Sequence, residues 1–179
     1  MRADAEQNRE RILEVARTAL KASSDASLQS IAKAAGVGQG TLYRHFPSRE
    51  ALLIAVYRHD LDELLDAAPA LLGEHAPDEA LRRWFARLAA YGRIKHGVAQ
   101  AVEAATRADL SGAYYGPVIE AITLLLDAGK AAGALREDVD GEDVLQLVGF
   151  LWRADFGADR EARTRHLLAL VMDGLKPQA

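Results

Sequence analysis

Hydrophobic residues recur at helical spacing along most of the chain, and no segment shows the strict alternation typical of a half-buried strand. The pattern predicts an all-α fold of nine helices. We expect them at residues 8–23, 28–35, 39–46 and 49–68, from Pro77, at 98–107, from Pro117 to near Gly133, at 141–156 and at 161–175. Between them we expect a frayed arm (1–7), loops (69–77 and 110–116) and a turn (135–139).

The second and third predicted helices are short and joined by a tight turn. Ser27 is placed to cap the first of them, and Gly36 follows it where a left-handed residue commonly ends a helix. In the second of them, Leu42 and Phe46 are four residues apart and face back toward the first. Ala32 is small enough for the two helices to cross closely, as they do in a helix-turn-helix.

The opposite face of the third helix carries groups that can contact DNA. Gln39 and Thr41 can read base edges, whereas Tyr43, Arg44 and His45 can reach phosphates. Residues 26–49 contain no Asp or Glu, so this segment is locally basic. An ordinary amphipathic helix pair with a solvated polar face would also produce this pattern.

The segment AGVGQGTLYRHFPSREALL resembles the DNA-binding domain of the TetR family of bacterial transcriptional repressors. The resemblance covers about Ile12 to Val56. It rests on the pairs Ile31-Ala32, Gly36-Val37 and His45-Phe46, the run Thr41-Leu42-Tyr43, and the start of the next helix, Glu50-Ala51-Leu52. The chain departs from the family pattern at Gly38, which replaces a capping Ser or Thr, and at Arg49, which replaces Lys. The candidate DNA-binding residues are Ser27, Gln29, Lys33, Gly38, Gln39, Gly40, Thr41, Tyr43, Arg44, His45 and Arg49.

Composition refines this picture. Residues 1–50 carry eight Lys or Arg against six Asp or Glu, and the rest of the chain carries fourteen against twenty. A mildly basic head on an acidic body is typical of a regulator whose head alone meets DNA. With no cysteine, no membrane-length apolar run and no signal-peptide core, we expect a cytoplasmic protein without disulfides.

We expect two domains, a helix-turn-helix domain at 1–47 and an effector-binding and dimerisation domain at 48–179. No linker separates them, so we expect a rigid junction. The first helix should bury Ile12 and Ala16 and leave Arg9, Arg11 and Arg17 in solvent.

The resemblance implies a small-molecule pocket in the second domain. Aromatic residues recur there at helical spacing and could equally fill a core. The candidate pocket residues are Trp84, Leu88, Tyr91, Gln100, Glu103, Thr123 and Trp152.

The last two predicted helices are apolar on one side. Such a face predicts a four-helix dimer interface, unless both helices pack within one protomer. The candidate interface residues are Val144, Leu147, Val148, Leu151, Leu167, Leu168 and Val171.

Other chemistries have little support in the sequence. His59 and Glu63 have a metal-ligand spacing, but no third ligand is placed by the sequence, and no catalytic or phosphate-binding motif occurs. We therefore predict a homodimeric, ligand-responsive regulator without a cofactor. It should repress from a near-palindromic operator and leave it when a small molecule binds. The alternatives are a protein-interaction module with the same fold and, third, a helical enzyme that binds a small molecule.

Overall fold

The computed structural model describes residues 2–22, 26–101, 104–153 and 159–177, and within these ranges the chain is all-helical. This confirms the predicted fold class. The helices are α1 Arg2–Ala22, α2 Leu28–Ala34, α3 Gln39–His45, α4 Arg49–Glu74, α5 Pro77–Ala101, α6 Ala104–Ala131, α7 Gly141–Leu147, α8 Phe150–Arg153 and α9 Arg160–Gly174.

The ends of α1 and α4 differ from the prediction. Helix α1 begins at Arg2, so most of the predicted frayed arm is helical. Helix α4 passes through Pro69 and ends at Glu74. A proline within a helix leaves one carbonyl without its N–H partner, but Leu71 beyond it is buried, and this packing favours continuing the helix. The predicted loop at 69–77 therefore shrinks to His75 and Ala76.

Helices α5 and α6 are both longer than predicted. The expected short helix at 98–107 and loop at 110–116 are wrong, because α5 continues to Ala101 and α6 runs from Ala104 through Pro117 to Ala131. Gly92 is a packing residue in α5 and does not break the helix. A Cβ added there would lie 3.1 Å from the Leu151 carbonyl oxygen, so its lack of a side chain allows the backbones to approach closely.

The helix predicted at 141–156 is interrupted. Helix α7 ends at Leu147, a turn follows at Val148–Gly149, and α8 begins at Phe150; residues 154–156 lie outside the described residues. The N-terminus is as predicted, because Asp140 Oδ1 accepts from Asp143 N at 2.8 Å and Asp143 Oδ2 accepts from Asp140 N at 3.3 Å.

The predicted turn at 135–139 and the last helix are both confirmed. Arg136 N donates to the Leu175 carbonyl at 2.9 Å, so the turn is tied to the end of α9. The same arginine donates two hydrogen bonds of 2.6 Å to the Asp138 carboxylate. These bonds lower the pKa of Asp138 to about 2, and the pair is therefore charged at neutral pH.

The chain divides into two compact units. The first unit is Met1–Leu61 with Gly97–Val102, and the second unit is Asp62–His96 with Glu103–Ala179. Helix α4 contributes residues to both. The domain boundary predicted between residues 47 and 48 stays a prediction.

The core of the first unit joins α1, α2, α3 and the start of α4. Fully burying a large apolar side chain contributes about 1.5–3 kcal/mol, so this core dominates the stability of the small bundle. Its buried residues are Ile12, Leu13, Ala16, Ile31, Ala32, Ala35, Leu42, Phe46, Leu52 and Val56.

The second unit has its own buried residues, which include the aromatic Trp84, Phe85 and Tyr91 of α5 and apolar residues of α6. Helices α6 and α7 are in close contact. A Cβ added to Gly141 would lie 2.9 Å from the Ile119 carbonyl oxygen and would overlap Thr123 Oγ1. Glycine at the start of α7 is therefore required by the contact with α6.

We predict that Gly141→Ala lowers the free energy of unfolding by about 1–3 kcal/mol, because backbone atoms of α6 cannot move aside cheaply. Gly73→Ala is the matched control, since an added Cβ meets nothing within 4 Å on α4. That change should be neutral or stabilising. Denaturant unfolding of both variants measures the difference, and equal effects would contradict the close α6–α7 contact.

Candidate nucleic-acid interface

Helix α2 is fixed at its start by two serines. Ser27 Oγ accepts a hydrogen bond from Ser30 N at 3.1 Å, and Ser30 Oγ donates to the Ser27 carbonyl at 2.8 Å. This is the N-cap that the sequence predicts. Accepting a bond does not use the Ser27 hydroxyl hydrogen, which can still donate to a phosphate.

The turn between α2 and α3 depends on one glycine. Gly36 has φ of 65°, a left-handed conformation that a side chain disfavours. Val37 N then donates to the Ala32 carbonyl at 3.0 Å. The chain reverses within four residues, and α3 starts at Gln39.

Helix α3 is held by its apolar face and capped only by backbone. The Gly38 carbonyl accepts from Thr41 N at 3.0 Å and Leu42 N at 3.1 Å, and no side chain caps the helix. Leu42 and Phe46 are 1% and 2% exposed in the core of the first unit. Because they occupy one side of α3, the opposite side is turned to solvent.

The solvent-facing side of α3 carries the predicted DNA-binding groups. Gln39, Gly40 and Arg44 are exposed, and Thr41 and His45 are half-buried. Tyr43 is 49% exposed, which is unusual for a large aromatic side chain in a folded domain. Lys33, Gln29 and Gly38 are also exposed on the same helix pair.

An open groove brings five of the eleven candidates together. Ser27, Gln29, Gln39, Tyr43 and Arg49 line it, and Leu28 completes it. Leu28, the first residue of α2, is half-buried and lies beside these polar groups. The groove is a mixed surface of amides, hydroxyls and one guanidinium, which suits a sugar-phosphate backbone and base edges.

Arg49 has a structural contact in addition to its predicted role. Its Nη1 donates to the Ala26 carbonyl at 2.7 Å, so the start of α4 is tied to the segment before α2. A guanidinium has five donors, and one such bond does not exclude a second to phosphate.

Arg9 contacts Phe46, and the sequence did not predict this contact. Its guanidinium carbon lies 5.7 Å from the centroid of the Phe46 ring, and the His45 ring centroid is 6.3 Å from the same ring. The prediction that Arg9 and Arg17 face solvent is wrong, since both are half-buried. Helical spacing places them beside the apolar stripe, but their partners lie far away in sequence.

Three of the seven candidate pocket residues are buried in the second unit. Trp84, Leu88 and Tyr91 are buried, and Trp84 Nε1 donates to the Leu64 carbonyl of α4 at 2.8 Å. Thr123 is half-buried and faces Gly141 of α7. The side chains of Gln100 and Trp152, and all of Glu103, lie outside the described residues.

The candidate interface residues fall into two groups. Val144, Val148 and Leu151 are buried within the chain, so a partner could cover no further area on them. Leu147 is 55% exposed, and Leu167, Leu168 and Val171 are half-buried. Leu170, which the sequence analysis did not select, is 53% exposed.

Neither a metal site nor a membrane segment is found in the part of the chain that the structure describes. No three His, Asp or Glu residues there are grouped to hold a metal ion, so His59 and Glu63 have no third ligand among them. No helix in these ranges is both long and apolar enough to cross a membrane.

Family models match both parts of the chain. Residues 12–56 match the model of bacterial regulatory proteins of the tetR family, and residues 76–177 match the C-terminal domain of SbtR-like transcriptional regulators.

Two solved structures are similar over nearly the whole chain. A TetR transcriptional regulator from Streptomyces coelicolor has 39% identity and a TM-score of 0.81, covering 96% of this chain and 99% of its own. A TetR regulatory protein from Mycobacterium vanbaalenii has 31% identity and a TM-score of 0.77, covering 98% of each chain.

A curated relative matches only in part. An HTH-type transcriptional regulator of Staphylococcus aureus (strain USA300) is 44% identical over 64 residues, which is 35% of this chain and 35% of that protein. The two family models and the two solved structures together assign the chain to one family. The chain belongs to the TetR family of bacterial DNA-binding transcriptional regulators, and it is a regulator and not an enzyme.

Proposed function

We propose that this regulator is a homodimeric repressor that binds a near-palindromic operator through α2 and α3, and that a small molecule bound in the second unit releases it. The observation that carries the proposal is the exposed polar face of α3, opposite the buried Leu42 and Phe46. That face is locally basic in an acidic chain, as a DNA-reading head requires.

The two ends of this face have different tasks in the proposal. Tyr43 and His45 bind phosphates and set the orientation of the head, whereas Gln39 and Thr41 meet base edges in the major groove. Phosphate contacts carry no sequence information, so they contribute to binding of every duplex alike. Base contacts distinguish one duplex from another.

We predict that Tyr43→Phe and His45→Ala each weaken binding to all duplexes by a similar factor, about 5–10-fold for the loss of about 1–1.5 kcal/mol. Gln39→Ala should instead change the preference between duplexes. Titrations with the chain's own upstream DNA and with a scrambled duplex separate the two effects.

Arg82→Ala is the control, since this exposed arginine lies on α5 and pairs with Glu79 at 2.6 Å. It should bind DNA as the wild type does. Unchanged affinity in both Tyr43→Phe and His45→Ala would show that the phosphate-binding role is misassigned.

The dimer proposal rests on α9. This helix has 15 residues and buries none of them, although it carries four leucine or valine residues. An isolated helix of this length is marginal in water, so α9 needs packing to be stable. A second copy of the same chain would cover Leu170 of α9 and Leu147 of α7, and the proposed interface omits the residues that are already buried.

We predict that Leu170→Glu and Leu147→Glu produce monomers at micromolar concentration, because a charge cannot be buried in an apolar interface without a partner. Ala169→Glu, an exposed position on another face of α9, is the matched control and should remain dimeric. Sedimentation equilibrium measures the mass relative to the 19.4 kDa chain. A wild-type monomer at this concentration would exclude the dimer.

Release by a small molecule requires a link from the second unit to the reading head, which is the helix pair α2 and α3. Helix α4 is continuous from Arg49 to Glu74 and contributes to both units. In the proposal, the ligand binds better when the C-terminal end of α4 is displaced, and it therefore favours that displaced state. The displacement extends along the helix to its N-terminal end at Arg49. A coupling of about 1–3 kcal/mol changes DNA affinity by roughly 5–150-fold, which is sufficient for a switch.

Trp84 reports on this movement, because its indole N–H is bonded to the Leu64 carbonyl of α4. In a Trp152→Phe background, where Trp84 is the one remaining indole of the sequence, we predict that a compound found to release DNA shifts the Trp84 emission. Compounds that do not release DNA serve as controls. A releasing compound without any shift would place the pocket and its link to DNA away from the α4–α5 contact.

A further inference from the structure

Asp60 stands out on the buried face of α4. Val56, Leu61 and Leu64 around it are buried and apolar, and Asp60 itself is only 5% exposed. Within the described residues it is the one buried side chain that carries a charge. Placing a carboxylate there is costly unless another charge compensates it.

The compensating charge comes from α1. Arg17 Nε forms an ion pair with Asp60 Oδ1, and their side chains are 28% and 3% exposed. Elsewhere α1 contacts the core of the first unit through the apolar Ile12, Leu13 and Ala16, and through Arg9, which lies over the Phe46 ring. The pair is thus a charged, directional contact beside a packing surface that is largely apolar.

Stability alone does not account for such a pair. Replacing a buried ion pair by apolar residues of similar volume is often neutral or stabilising, whereas removing one partner is strongly destabilising. A directional pair adds a constraint that apolar packing lacks, because its two charged groups stay in contact only over a narrow range of helix alignments. Apolar surfaces tolerate sliding and rotation more readily.

The pair lies where α4 passes from the first unit into the second, so the alignment of α1 with α4 is set at this point. Asp60 is followed by Leu61, the last residue of α4 in the first unit, and the helix then continues into the second unit. We propose that Arg17–Asp60 is a register lock that fixes α1, and with it the α2–α3 reading head, against α4. This inference rests on the proposed function in one respect. The alignment matters for DNA binding because it holds the two reading heads of the proposed dimer at the spacing of successive major grooves.

The lock can be tested by removing the pair without removing its volume. Arg17→Met/Asp60→Leu should unfold at the same or higher denaturant concentration than wild type. Glu79→Gln/Arg82→Met is the matched control, because it removes an exposed ion pair on α5. The chain has no cysteine, so nitroxide labels at Glu14→Cys on α1 and Arg58→Cys on α4 report the alignment directly.

We expect one narrow label distance in the wild type and in the control, measured by pulsed electron resonance with labelled chains diluted by unlabelled ones. The apolar pair should broaden or shift that distance. On DNA, it should bind a two-half-site operator about 10-fold more weakly and tolerate altered half-site spacing, while binding a single half-site as wild type does.

An apolar pair with the wild-type distance distribution and the wild-type spacing preference would overturn the lock. Should that variant fail to fold, Arg17→Lys keeps the charge but loses the planar guanidinium. It should remain folded with a displaced or broadened distance, and an unchanged distance would again overturn the lock. If the wild type bound no DNA, the proposed function would fail, and the label distances would still decide whether the pair aligns the helices.

Discussion

The burial of Leu42 and Phe46 is the constraint on which the reading head depends. Helix α3 has seven residues and no side-chain cap, so it is far too short to be stable alone. Its conformation is imposed by those two side chains in the core of the first unit. The same anchoring directs Gln39, Tyr43 and Arg44 outward, so one packing interaction both forms the helix and presents its polar face.

The turn before α3 completes this arrangement by backbone geometry. Gly36 adopts a left-handed conformation, Ser27 caps α2, and Arg49 ties α4 to the residue before that cap. Two of these three features use Ser27 and Arg49, which are also candidates for contacting DNA. Each of them keeps a donor for phosphate, so the same side chain can stabilise the first unit and bind DNA.

Helices α2 and α3 are predictable from sequence because their signals are local. A capping serine, a glycine after a helix and apolar residues three or four apart all act within one or two turns. In the second half, local signals mislead. Pro69, Gly92 and Pro117 suggest helix breaks, but tertiary packing overrides them, and at Gly92 a neighbouring backbone requires the missing side chain. The Arg17–Asp60 pair joins residues that no local pattern connects.

Near the end of the chain, the structure shows which apolar residues are buried and which are exposed, a distinction that the sequence does not give. Val144 and Leu147 look alike in an apolar stripe, yet one is buried and the other is more than half exposed. Helical spacing cannot distinguish an apolar residue that is buried within the chain from one that is exposed, because both fit the same apolar stripe. The same limit applies to Trp84, whose indole N–H is bonded within the second unit.

Selection from a random duplex library tests the central claim most directly, because it needs no knowledge of the target. We expect the 179-residue chain to enrich an inverted repeat whose half-sites are centred one helical turn apart or a multiple of it, about 10–10.5 base pairs per turn. The half-sites should lose their sequence preference when Gln39 and Thr41 are both replaced by alanine. Enrichment of no sequence, or the same enriched repeat from the double variant, would contradict DNA reading by α3.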